Sequence, residues 1–360
     1  MALSPNILKH IRKVEPYVPG EQPQNRVVKL NTNENPYPPA PGVAEVLQSL
    51  DTDQFRLYPD PTAEVLVSAL AENYGVSKEQ VFVGVGSDDV LAMCFLTFFQ
   101  SEMPILFPDI TYSFYKVWAN LYRIPYECPK LDDNFRIQKE DYYRSNGGII
   151  FPNPNAPTAI YESLEFIEDI LLHNQDVVVI VDEAYIDFAG EGKSALSLLG
   201  RYDNLLVVQT FSKARSMAGM RIGYAIGNPL LIRYLNDVKY SFNSYTMNQV
   251  SLACGVKALQ DKEYFRHTVD TIMETREWAK AEFAKLGFHF TDASANFLFV
   301  THPNYDANEL FQVLKENDIY VRHWNSDRIA QYLRVTVGTR EEMKHLFTFL
   351  KEYTLKGTGK

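Results

Sequence analysis

Cysteine is scarce: Cys94, Cys128 and Cys254 are the only three in 360 residues, and their wide separation excludes a disulfide framework or a cysteine metal knuckle. The seven histidines form no pair at ligand spacing, so a metal site has no support in the sequence. No apolar run approaches a membrane span, and Lys9, His10, Arg12 and Lys13 interrupt the N-terminus before a signal-peptide core can form. A soluble, cytoplasmic protein is expected. Basic excess is missing too. Lys and Arg total 35 against 45 Asp and Glu, and the resulting net charge of −10, with no Arg-rich stretch, argues against nucleic acid as a partner. Repeats and low-complexity segments are absent, leaving a 46% apolar chain long enough to bury a large core in two domains.

Residues 1–42 are rich in Pro and Asn and read as an extended arm. From Gly42 onward helical and strand patterns alternate, the signature of an α/β doubly wound sheet. Strands are expected at Val81–Val83, Met103–Phe107, Gly148–Phe151, Val177–Val181, Leu205–Gln209 and Ile222–Ala225. A helical stretch from about Asn248 to Leu286 leads into a smaller α+β unit, with strands near Phe297–Thr301, Ile319–Arg322 and Tyr332–Thr336. The expected division is an arm over 1–42, a large domain over 43–250 and a small α+β domain over 251–360.

The most informative residue is Lys213, in Thr210-Phe211-Ser212-Lys213-Ala214. A lysine between an apolar strand and a Gly-rich bend can be held partly neutral, as a nucleophile for a Schiff base to an aldehyde cofactor must be. Taken alone, it reads more simply as a solvated loop lysine, since most lysines are surface groups. Upstream, the five β-branched residues Val177 to Val181 read as a strand buried on both faces that stops at Asp182. Ligands of open α/β sheets collect at the carboxyl ends of strands, although an acid there also serves as a helix N-cap. The next strand, from Leu205, leads straight to Lys213, so neighbouring strand ends bring acid and amine to one place.

An anion site is written into the same region. Gly84-Val85-Gly86-Ser87-Asp88 follows a strand and opens onto an apolar helix, where backbone N–H groups can meet a phosphate. Asp89 stands where a dinucleotide fingerprint needs its third glycine, which weakens a nicotinamide reading.

Together with Asn31-Thr32-Asn33-Glu34-Asn35-Pro36, Tyr58-Pro59-Asp60 and Arg334-Val335-Thr336-Val337-Gly338-Thr339, these segments resemble the fold-type I pyridoxal-phosphate aminotransferases. Within that group the chain is similar to the histidinol-phosphate aminotransferase family over nearly its whole length. The resemblance implies a homodimer with shared active sites and pyridoxal 5′-phosphate as cofactor. Its substrates would be histidinol phosphate and glutamate or 2-oxoglutarate. It implies that Lys213 carries the cofactor and acts as base and acid, and that Asp182 meets the ring nitrogen. Tyr185 would reach the ring oxygen and Tyr112 stack on the ring. Gly86, Ser87, Asp88, Ser212 and Arg221 would form the phosphate cradle, with Tyr58 reaching the partner's phosphate. Tyr17, Asn33, Arg322 and Arg334 would bind substrate. Alternatively, Arg221 pairs with a surface acid and Tyr58 is an ordinary turn residue.

Where many relatives read Asn-Pro-Thr-Gly, this chain reads Ala156-Pro157-Thr158-Ala159. Asn155, one position earlier, is the expected substitute donor to the ring oxygen. Rival readings are an aromatic aminotransferase or a phosphothreonine decarboxylase of the same superfamily and, from another class, a cofactor-binding regulatory protein without turnover.

Overall fold

Apolar runs rich in β-branched residues form most of the strands of the computed structural model, which describes residues 3–357. In chain order they are β1 (Val28–Lys29), β2 (Val81–Gly84), β3 (Ile105–Leu106), β4 (Tyr126–Glu127), β5 (Ile149–Pro152), β6 (Val179–Asp182), β7 (Leu205–Thr210) and β8 (Gly223–Gly227). After them come β9 (His289–Phe290), β10 (Phe297–Thr301), β11 (Ile319–Tyr320), β12 (Arg322–His323) and β13 (Leu333–Thr336).

Seven strands make one sheet in the order β2-β8-β7-β6-β5-β3-β4. Pairs among β3 to β7 are parallel, whereas β8 runs antiparallel to both β7 and β2. Alternation inside the buried strands feeds two cores. Ile180, Leu206 and Val208 pack with Phe95 and Tyr115 on one face, while Val179, Val181, Leu205 and Val207 pack with Ile167 and Phe151 on the other. Each such side chain stabilises the fold by roughly 1.5–3 kcal/mol through burial. Helices therefore cover both faces, as a doubly wound sheet requires.

The direction of β8 decides where the chemistry sits. Thr210 at the end of β7 pairs with Gly223 at the start of β8, and Gly84 at the end of β2 pairs with the same Gly223. The carboxyl ends of β2, β5, β6 and β7 thus share one edge with the loop 211–222 that joins β7 to β8.

A second sheet, in the order β12-β13-β10-β9, is antiparallel throughout, and β1 forms a parallel pair with β11. The strand expected over Ile319–Arg322 is two strands in different sheets, because Val28 and Leu30 of the arm take the carbonyls of Asp318 and Tyr320, while Arg322 pairs with Arg334. Met103 and Pro104 fall outside β3, since proline has no N–H to give the ladder. The expected helix from Asn248 to Leu286 is broken into Gln249–Gln260 and Lys262–Lys285 at Asp261, whose carboxylate caps the second helix by accepting from the Tyr264 N–H at 3.0 Å. The first of these two packs in the core that contains Leu66 and Ile222, beside the large sheet.

Candidate functional site

The shared edge opens into a cavity of about 390 Å³, closed on its other sides by the arm and by β12 and β13. At the end of β6, Asp182 is 4% exposed. Its Oδ2 accepts a 2.8 Å hydrogen bond from the Tyr115 hydroxyl and its Oδ1 a 3.2 Å bond from the Ala184 N–H. Both donors are neutral. Burial, with a contribution from Asp88, raises the carboxyl to about 6, so this site stabilises the charged acid poorly until a cation faces it.

Past the end of β7 the chain bends back, with the Met217 N–H on the Phe211 carbonyl and the Ser216 N–H on the Lys213 carbonyl. The arm braces that bend through Asn35 Nδ2, which donates to the carbonyls of Lys213 (3.1 Å) and Ala214 (3.2 Å). Lys213 Nζ donates to the Thr32 carbonyl at 3.1 Å and lies 5.7 Å from the Tyr185 ring centre. The amine is thus held by a backbone oxygen rather than by an acid.

Helix Ser87–Phe98 starts at Gly86, whose φ of +84° suits glycine. A Cβ at Gly86 would stand 2.5 Å from Arg221 Nη2, and one at Gly223 would strike the backbone of Gly86 and Ser87. The two glycines let the helix start, Arg221 and Ser212 converge on one concavity. Arg221 meets Asp88 at 3.2 Å, and the second Asp88 oxygen accepts from the Tyr112 hydroxyl at 2.7 Å. Burial first, then Asp88, pushes the Tyr112 hydroxyl well above its ordinary range, which keeps it a neutral donor. Tyr185 accepts from Asn33 Nδ2 at 3.0 Å, leaving its own proton free to donate elsewhere.

The arm and the second sheet complete the wall. Tyr17 stacks on Phe114 with ring centres 4.2 Å apart. Arg334 donates from Nη2 to the Asn31 carbonyl at 2.8 Å, and its buried Nε has no partner. Arg322 lines the same cavity.

Three expected site residues lie outside the cavity lining. Gly86 is one, and it abuts Arg221. Asn155 does not line the cavity; its Nδ2 donates to the Ile110 carbonyl (3.0 Å) and Thr158 Oγ1 (2.9 Å), and its Oδ1 accepts from Thr111 Oγ1 (3.1 Å). With one amide hydrogen on the loop at Ile110 and the other on Thr158, Asn155 has none left for a ring oxygen, and the expected substitution is corrected: Ala156 faces the cavity instead. Tyr58 is 82% exposed and stacks on Tyr245 at 4.7 Å, outside the cavity. Conversely, Tyr115 and Thr32 touch the acid and the amine without having been expected. Tyr115, in the first turn of helix Phe114–Tyr122, meets the Tyr112 ring edge-on with centres 5.7 Å apart; a backbone carbonyl such as that of Thr32 leaves no sign in a sequence.

These features fit pyridoxal phosphate on physical grounds. A buried acid with only neutral hydrogen-bond partners suits a protonated ring nitrogen, an amine hydrogen-bonded to a carbonyl suits an aldehyde, and the concavity at Ser87, Ser212 and Arg221 suits a phosphate.

The family model for aminotransferases of class I and II matches residues 25–350. The chain is 49% identical to a histidinol-phosphate aminotransferase of Clostridium botulinum (strain Langeland) over 342 residues, covering 95% of this chain and 96% of that one. It is 50% identical to the protein of the same name from Lactococcus lactis subsp. cremoris over 345 residues, covering 96% of each. The solved histidinol-phosphate aminotransferase of Sinorhizobium meliloti, in complex with pyridoxal-5′-phosphate, shares the fold with a TM-score of 0.83 at 21% identity over 91% of each chain.

Proposed function

The chain belongs to the class I and II aminotransferases, and from that premise we propose that it moves an amino group from histidinol phosphate to 2-oxoglutarate, giving imidazole acetol phosphate and glutamate in histidine biosynthesis. The observation that carries the reading is that Lys213 and Asp182 open on one cavity, the amine bonded to a carbonyl and the acid to neutral donors. The relatives at about half identity support the choice of substrate.

When bound, pyridoxal phosphate supplies an electron sink for the pair left on the substrate carbon as its proton departs. Lys213 is the amine that would hold the aldehyde and, once freed by the incoming amine, would move the proton to and from the substrate Cα as base and acid. Asp182 would keep the ring nitrogen protonated. Tyr185, whose hydroxyl accepts from Asn33, would donate to the ring oxygen, and Tyr112 would cover the ring. Ser87, Asp88, Ser212 and Arg221 would hold the phosphate beside Gly86, with Ser87 and Asp88 doing so through backbone N–H groups at the start of helix Ser87–Phe98. Tyr17, Asn33, Arg322 and Arg334 hold the substrate, and a guanidinium fork suits both carboxylate and phosphate.

The enzyme works as a homodimer in the cytoplasm. Tyr58 projects from a surface that also exposes Phe55, Leu57, Phe242 and Tyr245, an apolar patch that a second copy covers while Tyr58 reaches the partner's phosphate. We place the start of the small domain inside helix Lys262–Lys285, since the helix before it packs with the large sheet.

The test is a product assay on the cofactor-loaded enzyme. Histidinol phosphate alone should yield imidazole acetol phosphate in an amount matching the enzyme, and 2-oxoglutarate should make the yield catalytic and form glutamate. Turnover of an aromatic amino acid but not of histidinol phosphate would remove the substrate assignment, and release of carbon dioxide from phosphothreonine without an acceptor would point to a decarboxylase.

A further inference from the structure

Arg322 and Arg334 stand opposite one another in the β12/β13 ladder. Like charges directly opposed on antiparallel strands repel, so such a pair normally acquires an acid. Here it has not. Arg334 donates to the Asn31 carbonyl and Arg322 to the Val18 carbonyl at 3.4 Å, both backbone oxygens. What the two cations share is the indole of Trp324, whose ring centre lies 5.4 Å from the Arg322 guanidinium carbon and 5.2 Å from that of Arg334.

The arrangement follows from the chain. Trp324 is two residues beyond Arg322, which puts both on one face of an extended segment, and the register brings Arg334 to the same place. The segment after Trp324 is pinned: His323 Nε2 pairs with the Ala330 carbonyl at 2.8 Å, and Arg328 spans to Asp109 at 2.9 Å and to the carbonyls of Leu131 and Asp132. An aromatic face attracts cations through its quadrupole without consuming their N–H donors. A carboxylate in its place would hold the arginines equally well, but it would occupy the forks that a substrate anion needs.

We infer that Trp324 is a specificity-determining positioning residue: its indole holds Arg322 and Arg334 side by side with charge and donors intact, fitting the cavity to an amine whose far end carries two negative charges. A phosphate monoester meets that description, being close to a dianion at neutral pH. The inference rests on the proposed transaminase reading.

Steady-state constants for histidinol phosphate and for histidinol, its phosphate-free counterpart, test both ideas separately. The wild-type enzyme should prefer histidinol phosphate strongly; equal turnover of the two amines, or of neither, sinks the substrate reading itself. Given that preference, Trp324→Leu should raise KM for histidinol phosphate about tenfold with kcat within about twofold, leave KM for histidinol unchanged, and be largely rescued by Trp324→Phe. A Leu variant whose two KM values stay put, or rise together, overturns the role given to Trp324. If a melting curve shows that Leu unfolds the protein, Trp324→Met fills the space without a quadrupole and carries the same comparison.

Discussion

Replacing Asp182 by Asn removes a charge that the cofactor-free protein holds at a cost. Burial raises this carboxyl from an ordinary 3.8 to about 6, so between those values the folded state binds more protons than the unfolded one. Unfolding free energy of the wild-type protein therefore loses ground as pH rises through that window, by about 3 kcal/mol in all. Roughly 1.4 kcal/mol of this falls between about pH 5 and pH 7.5, where the group completes its ionisation. Asn is nearly isosteric and keeps an oxygen for the Tyr115 hydroxyl or the Ala184 N–H, yet it has no proton to lose. Glu183, raised by burial to about 7, titrates in both proteins and cancels in the difference. Urea unfolding of the stripped proteins at the two pH values is the assay. The stability of Asp182→Asn relative to wild type should rise by about 1–1.5 kcal/mol from about pH 5 to pH 7.5, while its affinity for pyridoxal phosphate falls. A difference that does not change with pH, or that moves the other way, would refute the claim that Asp182 is a desolvated acid awaiting a cation.

Gly86→Ala places a methyl group against Arg221 and forces a positive φ on a non-glycine residue; a loss of about 1–3 kcal/mol in stability and a roughly tenfold rise in cofactor Kd are expected, measured by urea unfolding and by spectroscopic titration. Lys213→Ala should be inactive and leave no cofactor attached to the chain after borohydride reduction, as read by mass spectrometry. Mixing it with Tyr58→Phe as coexpressed subunits tests the shared site, because a heterodimer would place both lesions in one site and leave the other whole. About a quarter of wild-type activity should then return if Tyr58→Phe alone is nearly inactive; strict additivity of the two parents would mean that each protomer works alone.

The acid and the lysine were legible because parallel strands buried on both faces write themselves as uninterrupted apolar runs, and the residue that ends each run must sit at the ligand edge. The glycines around Ser87 were legible for a similar reason: only close backbone approach explains them. Tyr115 was hidden among 22 tyrosines, since a residue's hydrogen-bond partner depends on a fold the local sequence does not describe. Asn155 shows the converse. Its type suited the expected contact, but Ile110, Thr111 and Thr158 claim its amide, and the first two come from a separate loop that only the fold brings near. The strand expected over Ile319–Arg322 was rightly extended, yet alternation says nothing about partners, so its division between the arm and β13 could not be foreseen.

The carbonyls of Asn31 and Thr32 are neighbours in the chain, and one grips Arg334 while the other grips Lys213. A substrate long enough to draw the arginine away and displace the lysine acts on two successive peptide units joined at Thr32. The strand just before them, β1, is paired with β11, and the Leu30 carbonyl accepts from the Thr336 N–H. Anchored there, the two units behave as a gauge with two jaws, and the spacing between recognition and reaction is set by one residue of chain rather than by the fit of two lobes.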